Sequence, residues 1–326
     1  MGRGFKAFLI CRMLESKENM SMNTTMWQKS GATASRIIQG CMRIDSLDTK
    51  RAEELLKTAI DSGINFFDHA DIYGSGECER IFAKALKLSA DERDRLFLQS
   101  KCGIREGMFD FSRDHILTSV EGILERLQTE YLDFLLLHRP DTLMEPEEVA
   151  EAFDRLSAAG KVRNFGVSNQ NPAQIELLQS YLGQRLQINQ LQFGIMHTGI
   201  IDQGFNVNMK VDASADRDGS ILDYCRLNDI VIQAWSPYQY GFFEGVFLGN
   251  EKFPELNRVL DEIADAHGIS PTALATVWIL RHPARMQVVV GSTNTKRVVD
   301  IAAASETEIS REEWYRIYRA AGNTLP

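Results

Sequence analysis

The sequence predicts an α/β chain whose eight strand-helix units close into a (β/α)8, or TIM, barrel, and three observations point to it. Short apolar runs alternate eight times with segments whose apolar residues recur every three or four positions. Several of those runs end in polar residues, as buried parallel strands do where they open into functional loops. A length of 326 residues with 44% apolar content suits one barrel with a sizeable core. The other common α/β layout, a doubly wound sheet, usually carries GxGxxG after an early strand. This chain has neither that motif nor GxxxxGK[ST].

The elements follow in order. Residues 1–22 show no clear period and are expected to form a flexible extension or an upstream start, with residues 23–326 as a single barrel domain. Lys29-Ser30-Gly31 is a turn signal between two short runs, which predicts a hairpin. Ile37–Cys41 reads as strand one, and Arg51–Ser62 as a helix with Leu55, Leu56 and Ile60 on one face and Gly63 as its stop. The second strand begins at Ile64, and Ile81, Phe82, Ala85 and Leu86 stripe the helix after it. Strand three spans Arg95–Ser100 and is followed by a helix carrying Ile116, Val120, Ile123, Leu124 and Leu127 on one face.

Strand four is Tyr131–Leu137, followed by a helix over Glu145–Gly160. Val162–Val167 is strand five, and Asn171-Pro172 pairs an N-cap with proline at the first helical position. Leu186–Leu191 is strand six, a long polar stretch runs from Gly194 to Gly219, and a helix covers Ser220–Leu227. Ile230–Ala234 is strand seven, then an aromatic-rich loop spans Ser236–Pro254. Extra helices follow, one around Leu256–Ala266 and one opened by Ser270-Pro271 and running to His282. Gln287–Val290 is strand eight, and Ser310-Arg311-Glu312-Glu313 is a capping box that opens a last helix.

Charge and cysteine usage narrow the function. A net charge of −9 argues against nucleic acid or an anionic membrane as main partner. Cys11, Cys41, Cys78, Cys102 and Cys225 are an odd count with no CxxC pair, so a disulfide framework and a zinc site are both disfavoured and a reducing cytoplasm fits. The apolar run AFLIC near the start is too short for a signal peptide, and no run reaches the ~18 residues of a membrane span. A monomer acting on a small molecule is expected.

The chemistry gathers around Ile64–Gly74, where an apolar, aromatic-rich strand opens into a polar loop. Asp68 ends that strand and Tyr73 lies five residues on. Barrel enzymes keep their chemistry at such C-terminal strand ends. Tyrosine, with an ordinary pKa of about 10, becomes a useful acid beside a cation that stabilises its phenolate. Lys101 ends the third strand run and His138 the fourth. Taken singly, each has a bland reading: Asp68 a loop cap, Tyr73 packing, His138 a satisfied core residue. His69 and Asp71 raise a metal site, but His197, His267 and His282 fall in no ligand pattern, so no metal is expected.

FFDHADIYG with a later Glu79, Lys101 after an apolar strand, LLLHRPD and GKVRNFGVSN occur in one order and closely resemble the aldo-keto reductases, from about Thr24 to the C-terminus. The resemblance implies that the hairpin plugs the bottom of the barrel. It implies reduction of an aldehyde or ketone carbonyl by NADPH, with Tyr73 donating the proton, Lys101 pulling the phenol's pKa down, Asp68 holding Lys101, and His138 orienting the carbonyl.

It also places NADP(H) against the later strands. Ser168, Asn169 and Gln190 match residues that grip the nicotinamide carboxamide, Trp235 the aromatic that stacks on its ring, and Ser236 with the loop through Tyr238 the pyrophosphate-facing segment. Gly291, Ser292 and Thr293 lead to a helix start suited to phosphate, and Arg297 matches the residue that reaches the 2′-phosphate. Gly291 and Asp300 depart from the lysine and glutamate of many members, which bears on NADP over NAD preference. Met42 is assigned to the cofactor side and, with Ile72, Phe109, Phe111 and the Tyr238–Phe243 segment, to an apolar substrate wall. The alternative is a redox-sensing or regulatory NADP(H)-binding protein on the same fold, as in channel-associated β-subunits, with little turnover.

Overall fold

The computed structural model describes residues 27–326, so the extension expected over residues 1–22 lies outside the described residues. Eight parallel strands form a closed barrel: β1 (Ile37–Gly40), β2 (Phe66–Asp68), β3 (Phe97–Cys102), β4 (Leu132–Leu137), β5 (Val162–Ser168), β6 (Leu186–Gln192), β7 (Val231–Trp235) and β8 (Gln287–Val290). Each strand pairs with its neighbours in chain order and β8 pairs with β1, so no edge is left open. Apolar helix faces pack on the outside. In the helix Arg113–Leu127 the buried residues are Ile116, Val120, Ile123, Leu124 and Leu127, the predicted stripe.

The hairpin forms as Gln28–Lys29 against Ala32–Thr33, turning through Ser30 and Gly31, both at positive φ. It sits at the bottom of the barrel: the Trp27 ring lies 4.5 Å from Phe134 and 6.3 Å from Phe66. Those rings, with Phe97, Ile38, Leu136 and Ile188, make the apolar lower layer. Lys29 is buried there and donates to Asp133, which also takes Arg93, so the plug is held by both packing and ionic bonds.

Successive residues of a strand face opposite sides. Phe66 and Asp68 therefore point into the barrel, as do Phe97, Gln99 and Lys101 of β3, while Ser100 points out to Glu79. The lower interior is aromatic and the upper interior polar.

Some boundaries differ from expectation. Ala90–Arg95 is a helix opened by a Ser89/Glu92 capping box, so β3 begins two residues later than Arg95 and holds Lys101 inside it. Asp48 caps the first barrel helix at Thr49, ahead of the expected Arg51. The polar stretch after β6 contains a short helix, Gly199–Phe205, whose Ile200 and Ile201 are buried. The aromatic loop after β7 folds into a small hairpin, Gln239–Tyr240 against Gly245–Val246.

Candidate active site

At the C-terminal ends of the strands a cavity of about 350 Å³ opens. Its floor is Asp68, with Tyr73, His138, Ser168, Asn169, Gln190 and Trp235 around it. Met42, Ser236, Tyr238, Gly291, Ser292 and Arg297 continue the lining toward the β8 end. The predicted residues thus meet in one place, with two exceptions. Thr293 does not line the cavity, and Lys101 lies wholly buried beneath it. Of the expected apolar wall, Met42, Ile72, Tyr238 and Phe243 face the cavity. Phe111 is instead packed under Gly103, whose missing side chain makes room for its ring, and Phe109 is exposed on a small hairpin.

Lys101 organises the floor. Its ammonium lies 2.7 Å from Asp68 Oδ1 and 2.8 Å from Oδ2, donates to the His69 carbonyl at 2.7 Å, and reaches the Tyr73 hydroxyl at 3.3 Å. All three donors of the ammonium are used, which is what a fully buried charge requires. Burial works against the charge, but Asp68 and Tyr73 outweigh it and hold Lys101 above its ordinary pKa.

The same burial pushes the Tyr73 phenol up, and the nearby ammonium only partly pulls it back. Lys101 does pull the phenol down, as expected, but desolvation is larger, so the net shift is upward. Tyr73 is a neutral phenol at pH 7. His138 is half-buried in the cavity wall, and desolvation, helped by Lys101 and Arg139, holds it well below its ordinary pKa, so it is a neutral imidazole. The Tyr73 and His138 rings meet edge to face at 5.9 Å.

Asp68 has further partners: Gln99, which the sequence did not single out, and Gln190, which it singled out only for the cofactor. Gln99 donates to its Oδ1 at 2.6 Å and Gln190 at 3.1 Å. Both amides also donate to Gln233 Oε1, and Gln233 donates in turn to Gln287, which donates to the Ser35 carbonyl. Glutamines on β3, β6, β7 and β8 thus form a directed hydrogen-bond chain across the barrel interior. The available signal was a polar residue inside four apolar strands at inward-facing positions.

On the later strands, Ser168 donates to the Gln190 carbonyl and Asn169 donates to the Ser168 hydroxyl. Asn169 Oδ1 accepts from the Trp235 indole at 3.1 Å, and Phe243 stacks on the same indole at 6.3 Å. Asn169 holds a positive φ of 58° directly after the strand ends at Ser168. At Gly291 a Cβ would meet nothing within 4 Å, so the backbone there stands open beside the start of the helix Thr295–Ala303. Hydroxyl and amide groups beside a fixed indole, an open glycine segment and Arg297 fit a planar carboxamide at one end and phosphate at the other.

His69 is fully buried, its ring edge-on to Phe82 at 4.7 Å, and burial pushes its pKa to about 3. It is a core residue. Glu79, also buried, accepts from Ser100 at 2.7 Å and from Arg126 at 2.6 Å, and so ties its helix to β3 and to the helix beyond.

Comparison with known proteins agrees with this geometry. The profile of the Aldo/keto reductase family matches residues 36–321. The chain is 36% identical over 307 residues to the uncharacterized oxidoreductase YcsN of Bacillus subtilis, covering 90% of this chain and 96% of that one. It is 34% identical over 301 residues to the 6-dehydroglucose reductase of Agrobacterium fabrum, covering 88% and 94%. An aldo/keto reductase from Klebsiella pneumoniae, solved with NADP and acetate, superposes with a TM-score of 0.70 at 25% identity, covering 91% of this chain and 95% of that one. With an eight-stranded barrel, a strand-end site and a family match over nearly its whole described length, this chain belongs to the aldo/keto reductase family and is an oxidoreductase.

Proposed function

We propose that the protein reduces the carbonyl of an aldehyde or ketone with NADPH, and that residues 23–326 act as one catalytic unit. The observation that carries this reading is the buried Asp68–Lys101–Tyr73 line, which ends in a neutral phenol facing a cavity. A bound dihydronicotinamide supplies hydride to the carbonyl carbon. As negative charge builds on the carbonyl oxygen, Tyr73 gives it a proton. The phenolate left behind lies 3.3 Å from an ammonium that cannot move away, because Asp68 and the His69 carbonyl hold it. His138, a neutral imidazole beside Tyr73, donates a hydrogen bond that aims the carbonyl.

Ser168, Asn169 and Gln190 would hold the carboxamide of the cofactor, and Trp235 its ring, with the indole fixed by Asn169. Ser236, Tyr238, Gly291 and Ser292 would follow the pyrophosphate, with Arg297 at the 2′-phosphate end. The Klebsiella pneumoniae protein of similar fold was solved with NADP, which supports this cofactor. Tyr73→Phe removes only the proton donor, so carbonyl turnover should fall by about 100-fold or more while NADPH still quenches the protein's fluorescence. Unchanged turnover in that variant would remove Tyr73 from the role.

A further inference from the structure

We propose that Arg139 makes this site selective for carbonyl compounds that carry an anionic oxygen group, a carboxylate or a phosphate, a few atoms from the reacting carbonyl. The inference rests on the reductase reading above and adds the substrate class. Arg139 directly follows His138 at the top of β4 and lines the cavity. Its guanidinium carbon lies 5.6 Å from the centre of the Trp235 ring, so the indole covers a face of the cation. The N–H edge is another matter. Among the described residues no ion pair or hydrogen bond engages it, although the side chain is half-buried. Its nitrogens are not sealed off, and the residue lines the cavity.

Partly burying a guanidinium while leaving its five donors unmatched costs free energy. Elsewhere this chain pairs such groups: Arg93 with Asp133 and Arg126 with Glu79. The cavity's charge balance points the same way. Arg43, Arg139 and Arg297 line it, and among the described residues the one carboxylate in its lining, Asp68, is already neutralised by Lys101 at 2.7 Å. A chain of net charge −9 therefore presents a positive cavity, and with Arg297 given to the cofactor's 2′-phosphate, Arg43 and Arg139 remain for a small anion. Arg297 and Arg43 lie in the exposed part of the lining, whereas Arg139 is next to the His138 and Tyr73 that meet the carbonyl. A planar guanidinium takes a carboxylate or phosphate through two parallel hydrogen bonds, and its place in the same cavity lining as Tyr73 and His138 sets it near the carbonyl they would meet.

The test compares 4-carboxybenzaldehyde, its neutral methyl ester and 4-formylphenyl phosphate in steady-state NADPH oxidation. The wild-type enzyme should favour one or both anions over the ester by about tenfold or more in kcat/KM, and the comparison of the two anions tells carboxylate from phosphate. Arg139→Met keeps the stem against Trp235 and should collapse the anion-to-ester ratio, mainly through KM for the anions. Arg139→Lys should restore part of it, and added salt should shrink it in the wild type. A wild-type ratio near one, or a variant that lowers all three substrates equally, overturns the inference and leaves the reductase reading intact. If no aldehyde is turned over, the reductase reading fails. Calorimetric binding of 4-carboxybenzaldehyde to the wild type and to Arg139→Met, with NADPH present, then decides for Arg139 if affinity differs and against it if affinity is equal.

Discussion

Gln99 Nε2 donates to Asp68 Oδ1 across 2.6 Å, and the two residues are also directly paired between β3 and β2. A buried carboxylate needs donors besides its ammonium, and this amide, backed by Gln233, supplies one. Gln99→Leu should reduce kcat by about 10- to 100-fold, the worth of one hydrogen bond to a charged group, with little change in KM for NADPH. The pH profile of kcat should move as well, because the Asp68–Lys101 pair sets the environment of the phenol. Steady-state kinetics from pH 6 to 10 checks this. A kcat and profile matching the wild type would show the glutamine chain to be packing alone.

The ion pair itself is predicted to be strongly coupled. Lys101→Met leaves Asp68 buried without its cation and should cost ~3–5 kcal/mol. Adding Asp68→Leu removes the stranded charge, so the double variant should recover much of that stability even though it stays inactive. Urea unfolding of the two single variants and the double variant measures the coupling. Simple additivity would count against it.

Asp71 gives a pH signature. Burial, then the like charge of Glu79, raises its carboxyl to about 7. The fold therefore favours the protonated form. Its contribution is fully present below the ordinary carboxylate pKa of about 4 and is lost as pH rises through about 7. Asp71→Asn removes the group's titration, so the variant's Tm relative to wild type should climb between pH 5 and pH 8. A constant difference across that range would refute the assignment.

Two glycines separate backbone from contact effects. Gly63 and Gly76 both hold φ of +86°, but a Cβ meets nothing within 4 Å at Gly63 and lies 2.7 Å from Arg126 Cδ at Gly76. Gly63→Ala should cost about 1 kcal/mol, the backbone strain alone. Gly76→Ala should cost more, because it also displaces the arginine that neutralises Glu79. Equal losses in thermal or urea unfolding would mean that Arg126 yields freely.

Much of this was readable before any coordinates. The helix over Arg113–Leu127 and the strand Gln287–Val290 were legible because apolar spacing reports burial directly. So were the caps at Asn171 and Ser310, whose side chains bond to backbone three residues away. The helix Ala90–Arg95 was not, since ADERDR shows no apolar face and forms through its capping box. In the site, Asp68, Tyr73 and His138 were identifiable from strand ends and motif order. Phe109 and Phe111 were misplaced because an aromatic residue in a loop carries no sign of which side it packs on.

The chain's order of residues by itself determined the alternation of eight strands and helices and the polar groups at the strand tops, because both follow from local period and from which side chains tolerate burial. Only the tertiary structure decided the net upward shift of the Tyr73 phenol, the glutamine chain behind Asp68 and the open edge of Arg139. Each of these depends on desolvation and on distances between residues far apart in sequence, such as Asp68 and Gln190, which no local pattern encodes.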